Sequence, residues 1–500
     1  MAKRLIYILC FVFMFVRVSA QIDNTMYFMD RLPQSSYINP AQTPECKFYI
    51  GGLLVPIFGQ LPPPITFAVN LPVDYNDVIF HGSGEYADSL ITPLHPNADF
   101  DDFLKKLRNV NYLTTDLQLS LLNFGFKTGD KGFFTFDLSE RMFVDAGLPR
   151  SLFEFAAKGN DAVRMADFTG FGLNAMYYHQ LAFGLQHKFS KTLSMGLRAK
   201  LLVGVASVRN SETKLVLSTA EKTNYINVEA EYIVNTNVPL NVTLDDEGFV
   251  SEMEFNNVFE DKSNITKYTL LTGNYGAAMD FGFSKDINSF ITAYFSVEDF
   301  GFINWKTNAS KFALYDEDSM RFEGLKFSDL KLDGFDDINL DSIVENFKEI
   351  HYEEQSYVTK LPTKLYAGVR YHASKRMALG VLGKLEFMPY KVRPSLMLTA
   401  NFKPFKFTAA TLSYSCMNGN FNNIGLGFTV HPGITQWYFV SDNIIGAALF
   451  PANSREVNVR IGCNLMFGCV KKKGTRDNQT NNATLLNKKK HKNKGVVPHK

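Results

Sequence analysis

The sequence predicts an all-β protein, a transmembrane antiparallel β-barrel of about 14 strands with an N-terminal hatch and short loop helices. Three observations carry this. Phe supplies 45 of 500 residues and aromatics 14%, against 20% charged residues. Mean hydropathy is only −0.10, so the apolar side chains are dispersed among polar ones. Past the first residues no apolar run reaches ~18, the minimum for a spanning helix. Instead, segments alternate apolar and polar over ~9–12 residues, long enough to cross a bilayer as tilted strands and longer than the ~5–6 of an ordinary strand. The aromatic content excludes disorder for most of the chain. A net charge of +2 gives no footing for a nucleic-acid partner.

The chain opens as a targeting segment. Lys3 and Arg4 precede an apolar stretch from Leu5 to Val16, and Val18-Ser19-Ala20 reads as a signal-peptidase site. This divides the chain into a signal peptide over 1–20, a hatch over 21–64, a barrel over 65–467 and a basic disordered tail over 468–500. The tail from Lys471 carries ten Lys or Arg and one acid, Asp477.

Within the barrel, Leu197, Ala199, Leu201, Val203 and Val205 alternate with Arg198, Lys200, Leu202, Gly204 and Ala206. Successive strand side chains point to opposite faces, so the first set is predicted to face lipid and the second a wet lumen, where Gly204 should tolerate a charge. The same period marks Lys364–His372 and Glu456–Phe467. Strands are predicted near 65–71, 114–126, 131–139, 173–189, 193–206, 267–283, 288–298, 362–373, 376–387, 395–402, 406–416, 422–430, 435–440 and 454–467. Short turns (127–130, 190–192, 284–287, 374–375, 403–405, 431–434) alternate with longer connections, as in outer-membrane barrels. That places the protein in the outer membrane, in contact with its lipid, with both termini periplasmic. The segment 47–56 reads as either a further strand or part of a plug. Helical spacing of apolar residues marks 101–110, 151–158 and 340–351.

The residues resemble a known family. Ser36-Tyr37-Ile38-Asn39-Pro40-Ala41, Leu148-Pro149-Arg150-Ser151-Leu152-Phe153-Glu154-Phe155 with Gly159-Asn160, Gly196-Leu197-Arg198-Ala199-Lys200-Leu201 and Asn458-Val459-Arg460-Ile461-Gly462 resemble Bacteroidota outer-membrane barrels known only as a domain of unknown function. That branch is similar to FadL-type transporters. The resemblance implies fold and location and assigns no activity. One departure is that the chain continues beyond Phe467, where such barrels end.

No motif for catalysis, a cofactor or a metal is present: H-E-x-x-H, G-x-S-x-G, a P-loop and G-x-G-x-x-G are absent. An enzyme is not predicted. The inward face carries Arg198, Lys200, Asp280, Arg370, Lys384, Glu386 and Arg460, joined by Asp137 and Lys188. These form either a selective constriction or the ordinary polar lining of a lumen, with charges paired across strands; the plainer reading is preferred. The segment 316–354, with 13 acids against four basic residues, reads as a solvated loop. Cys46, Cys416, Cys463 and Cys469 allow one bridge, but nothing in their spacing selects a pair, and free thiols in apolar surroundings are the plainer reading.

Two functions follow. In the first, the barrel binds or passes a small hydrophobic solute. Tyr27, Phe28, Asn39 and Pro40 form the gate, and Phe103, Leu104, Leu107, Leu152, Phe153 and Phe155 the capture surface. In the second, it is a structural or docking barrel for a secretion or cell-surface protein. A lumen path lined by apolar residues favours the first; a filled lumen beneath an apolar loop ridge favours the second.

Overall fold

The computed structural model describes residues 24–55, 64–82, 84–93, 95, 97–219, 226–255, 272–315, 320–322, 350–388, 391–417, 420–444 and 455–469. The signal peptide, the tail from residue 470, most of the helix predicted over 340–351 and most of the acidic segment lie outside them; the described end of that predicted helix, His351, begins a strand, His351–Glu354, instead.

Fourteen strands close into a barrel. In chain order they are β1, in two pieces (Phe48–Gly51 and Ile65–Asn70), β2 (Val110–Thr128), β3 (Gly132–Pro149), β4 (Gly172–Lys188) and β5 (Leu193–Thr219). They continue as β6 (Tyr275–Asp286), β7 (Ile291–Trp305), β8 (Thr363–Tyr371), β9 (Met377–Phe387) and β10 (Val392–Phe402). The circuit ends with β11 (Thr408–Met417), β12 (Asn420–Val430), β13 (Thr435–Ser441) and β14 (Glu456–Phe467). Each strand pairs antiparallel with the next. Both pieces of β1 lie between β14 and β2, closing the wall. Closure leaves no edge strand, which a lipid environment demands because unpaired backbone groups there cost several kcal/mol each.

The alternation sets the two faces. On β5, Leu197 and Leu201 are about half exposed, whereas Arg198 and Lys200 are buried. Leu185, Met279, Val369 and Leu398 extend the outer apolar belt around the wall, and a contiguous apolar belt this large on a closed barrel is a lipid-facing surface.

Three expectations are corrected. The stretch 48–51 is not hatch but the first piece of β1, and just after it the Leu53 and Leu54 amides still donate to the Ser120 and Leu121 carbonyls of β2; the hatch therefore ends before Phe48. Val205 does not face lipid: β4 and β5 slip register between Tyr177 and Tyr178, paired with Ala206 and Gly204, and the extra residue turns Val205 inside, 3% exposed. A bulge adds one residue to one strand and so reverses the faces beyond it. Gly204 does not open onto water either, because a Cβ there would strike the indole ring of buried Trp305.

Much of what reads as long connections is also sheet. β5 runs 27 residues, far past the ~9–11 needed to cross a bilayer. Its outer end pairs with Met165–Asp167 and with Ile226–Thr236, which carries Ser310–Leu314 and Met320–Phe322. This extension has its own core of Phe155, Phe168, Leu217, Val228, Val250, Leu314 and Ile350. The hydrogen-bond ladder continues there, but with no lipid on one face the sequence alternation fades.

Candidate functional site: hatch, ion-pair tier and loop cap

The hatch lies inside the lumen, toward the short-turn end. It begins with one 3₁₀ turn, Thr25–Phe28, followed by a single helical turn, Ser35–Ile38. Tyr27, Phe28, Asn39 and Pro40 are all buried. A buried irregular segment must satisfy its polar backbone. Here the Asp442 carboxylate accepts from the Asn24 and Thr25 amides at 3.1 and 2.6 Å, and Gln42 donates to the Tyr27 carbonyl at 2.6 Å. Asn39 donates to the Tyr27 hydroxyl at 3.0 Å while its own Oδ1 accepts from the Ala41 amide. The Asn-Pro-Ala element is thus a clamp holding the two ends of the hatch together.

The wall is shaped to receive this segment. Any Cβ at Gly196 would strike the Pro40 carbonyl, and one at Gly282 the Asn39 side chain. Phe28 packs edge-on to Tyr294, and Tyr27 lies 5.3 Å from Tyr366. Two predicted lumen cations hold the hatch directly. Arg370 pairs with Asp30 at 3.3 Å, and Arg460 reaches the Met26 sulfur at 3.4 Å. Both contacts are to hatch side chains.

Beside the hatch runs a tier of buried charges. Arg198 bridges Asp137 at 3.3 Å and Asp280 at 3.5 Å. Lys200 bridges Asp280 at 2.7 Å and Asp299 at 2.5 Å, and Arg141 reaches Asp299 at 3.6 Å. The Arg198 guanidinium also sits 4.3 Å above the Tyr37 ring of the hatch, a cation–π contact. Asp299 reaches this position only through a left-handed backbone, φ 59°, at a bulge where β6 and β7 shift register. A non-glycine residue held at positive φ is costly and must be over-determined by its surroundings; here its amide donates to Asp280 at 2.8 Å. Lys384 lies over the Tyr366 ring at 5.5 Å, and Glu386 lines a small cavity with Asp116, Lys364 and Arg393. The predicted charges other than Lys188 are therefore internal and form three groups; Lys188, predicted inward, is instead exposed at the rim, where it ends β4. The pairing agrees with the plainer reading of a polar lining.

Sequence reasoning missed Arg141, Asp145, Glu298, Asp299 and Arg393. The period-two pattern from Asp137 and Ser139 continues through Arg141, Phe143 and Asp145, and following it past residue 139 would have found two of them.

At the long-loop end, the predicted capture residues are covered. Phe103, Leu104 and Leu107 are buried with Val73, Phe100 and Phe153, on and beside helix α1 (Phe100–Lys106). Phe155 and Leu152, on α2 (Arg150–Ala162), belong to the extension's core instead. Together they make a packed cap and not an open surface. Ion pairs tie its helices: Lys158 meets Asp101 and Lys106 meets Asp77, each at 2.9 Å. Beside Lys158 the Asp101 carboxyl is held below its usual range, and the Lys158 ammonium is raised by the same bond.

The last element is covalent. Cys46, just before β1, is bridged to Cys469, just after β14, 423 residues apart, while Cys416 and Cys463 are free thiols.

The family model for a family of unknown function, DUF5723, matches residues 40–442, from the hatch clamp to the carboxylate that holds Asn24. The chain belongs to DUF5723. No protein with a curated description matches it in sequence. Among solved structures, the toluene transporter TodX of Pseudomonas putida is similar over 87% of this chain and 94% of its own, at 8% identity and TM-score 0.35. A Pseudomonas aeruginosa FadL homologue is similar over 91% and 100%, at 10% identity and TM-score 0.40. The translocator domain of the autotransporter NalP from Neisseria meningitidis is similar over 84% and 88%, at 7% identity and TM-score 0.30. The barrel of this DUF5723 chain rests on its own closed pairing circuit, independent of these likenesses.

Proposed function

We propose that this DUF5723 protein is an exported outer-membrane barrel, with both termini periplasmic, that passes or binds a small hydrophobic solute under control of its N-terminal hatch. The observation that carries this is the seating of residues 24–41 in the lumen. They are held by hydrogen bonds, ion pairs and glycine-lined contacts, all non-covalent and exchangeable with water. A purely structural plug needs no such separable segment. The apolar cap residues Phe103, Leu104, Leu107, Leu152, Phe153 and Phe155 supply the solute's first contact only when the cap opens, since in the closed form four of them are buried and Leu152 and Phe153 are half-buried against them. The ion-pair tier then serves as a positioning frame for the hatch, through Arg198 on Tyr37.

Removing residues 22–41 should open a water-filled path, raising single-channel conductance in planar bilayers while the barrel stays folded. A deletion variant as silent as the wild type would leave the docking reading. One observation favours that second reading: the sheet extension beyond the belt has a core of its own, more structure than a lid requires.

A further inference from the structure

The outer wall is indented across β8–β12. Val369, Leu379, Val381, Leu398, Ala400 and Leu412 line an apolar concavity of about 570 Å³, within the ~300–1,000 Å³ of ordinary ligand clefts. Its floor is formed by Gly380, Thr399 and Ser413; Gly380 has no side chain, and those of Thr399 and Ser413 are small and buried on the inner side. On the inner side of this floor the hatch presses close: a Cβ at Gly380 would lie 2.8 Å from the Phe28 ring, and the Thr25 and Ser413 hydroxyls are 2.7 Å apart. Small inward residues let the wall approach the hatch, and the outer face is drawn in with it.

These six residues lie within four residues of the short-turn ends of their strands, hence within ~13 Å of that rim, and Tyr414 and Ile424 continue the lining two residues farther along β11 and β12. The turns at the foot of the groove are basic. They carry Lys375 and Arg376 after β8 and Lys403 and Lys406 after β10, with no acid among residues 372–376 or 403–407. Lys375, Arg376 and Lys406 are exposed; Lys403 is engaged by Asp30 and Glu45 of the hatch. Phe405 and Phe407, exposed and stacked at 5.7 Å, add the aromatic rim expected where a barrel meets lipid headgroups.

We propose that this groove is a phospholipid seat: an acyl chain fills the concavity, and the anionic phosphate is held by Arg376 and Lys406. The occupant is a glycerophospholipid of the leaflet at the short-turn end. The groove is continuous with the lipid-facing belt, and the charge at its foot matches an anionic head. Burial of chain methylenes supplies the retention, and the basic turns supply the preference for a negative headgroup. The seat rests on the reading of the barrel as an outer-membrane protein.

The test is native mass spectrometry of the full-length mature barrel, purified in mild detergent and incubated with phosphatidylglycerol. The wild type should retain bound phosphatidylglycerol. Ala400→Trp, which fills the groove from the lipid side, should lower the retained fraction roughly tenfold, about 1.4 kcal/mol. The double variant Arg376→Gln, Lys406→Gln should lose preference for phosphatidylglycerol over phosphatidylcholine. Ala199→Trp, on the exposed outer face of β5, should retain lipid like the wild type. Equal lipid loss in Ala199→Trp and Ala400→Trp would overturn the seat, as would a wild type that retains none. So would a protein dimer dissociated by Ala400→Trp, which would give the groove to a second copy. Failure of the wild type to insert into vesicles at all would instead sink the membrane reading, and a heat-modifiable band after reconstitution separates the two.

Discussion

At the scale of single residues, position along a strand decides the cost of a charge. Leu201 faces lipid, so Leu201→Arg should destabilise the barrel by about 2–4 kcal/mol if it lies near mid-bilayer, read from unfolding in lipid vesicles. Gly204, three residues on, is no safer: Gly204→Ala already drives a methyl into Trp305 and should lower the unfolding midpoint, although the position faces inward. Asp280 is bonded to Arg198, Lys200 and the Asp299 amide. Asp280→Asn removes one charge from a buried, compensated group, and such breaks cost about 3–5 kcal/mol. If Asp280→Asn left the unfolding midpoint in lipid unchanged, the tier would be hydrated and not a fixed frame.

At the scale of elements, α1 and α2 of the cap are joined by one exposed ion pair, Lys158–Asp101, and such pairs are worth little in isolation. Their pH response is nonetheless signed. The Asp101 carboxyl is lowered by its bond to Lys158, so its contribution is present above the unfolded carboxylate value of ~3.9 and is lost as pH falls through the folded one. The Lys158 ammonium is raised, so its contribution is complete below ~10.4 and is lost as pH rises through the folded value. The protection factors of the α1 amides, with the intrinsic pH dependence of exchange divided out, should therefore be flat across the intervening range, fall at both extremes, and lose this dependence in high salt. A pH-independent profile at low salt would show that the apolar contacts of Phe103, Leu104 and Leu107 hold the cap unaided.

For the whole molecule, the seam between β1 and β14 is the place where closure depends on both ends of the chain. The Cys46–Cys469 bridge spans that seam at the short-turn rim and also anchors the root of the hatch. Removing a native bridge commonly costs about 2–5 kcal/mol. Cys46→Ser should therefore still give a heat-modifiable barrel, with a lower unfolding midpoint. Deleting residues 471–500 retains Cys469 and should leave the midpoint unchanged, whereas deleting 468–500 should reproduce Cys46→Ser. Loss of insertion on deleting 471–500 would show that the assembly machinery reads the tail and not Phe467.

The amino-acid order by itself determined the strands and their two faces, because the period of two is a property of the local backbone and every lipid-facing position must be apolar. All fourteen wall strands were legible this way, β1 only in its second piece, as was the inward direction of Arg198, Lys200, Asp280, Arg370, Lys384, Glu386 and Arg460. Only the tertiary structure decided which charge meets which, since Arg198 and Asp280 are neighbours only through the β5–β6 pairing. It alone turned Val205 inward, because a bulge is a mismatch between two strands and leaves no mark in either one. The extension escaped notice for a related reason: outside the membrane both faces of a strand are free to be polar, and the period disappears while the ladder persists. The burial of the cap residues, the seating of the hatch on Gly196 and Gly282, and the bridge across 423 residues all join segments distant in the chain, and no local pattern encodes such partners.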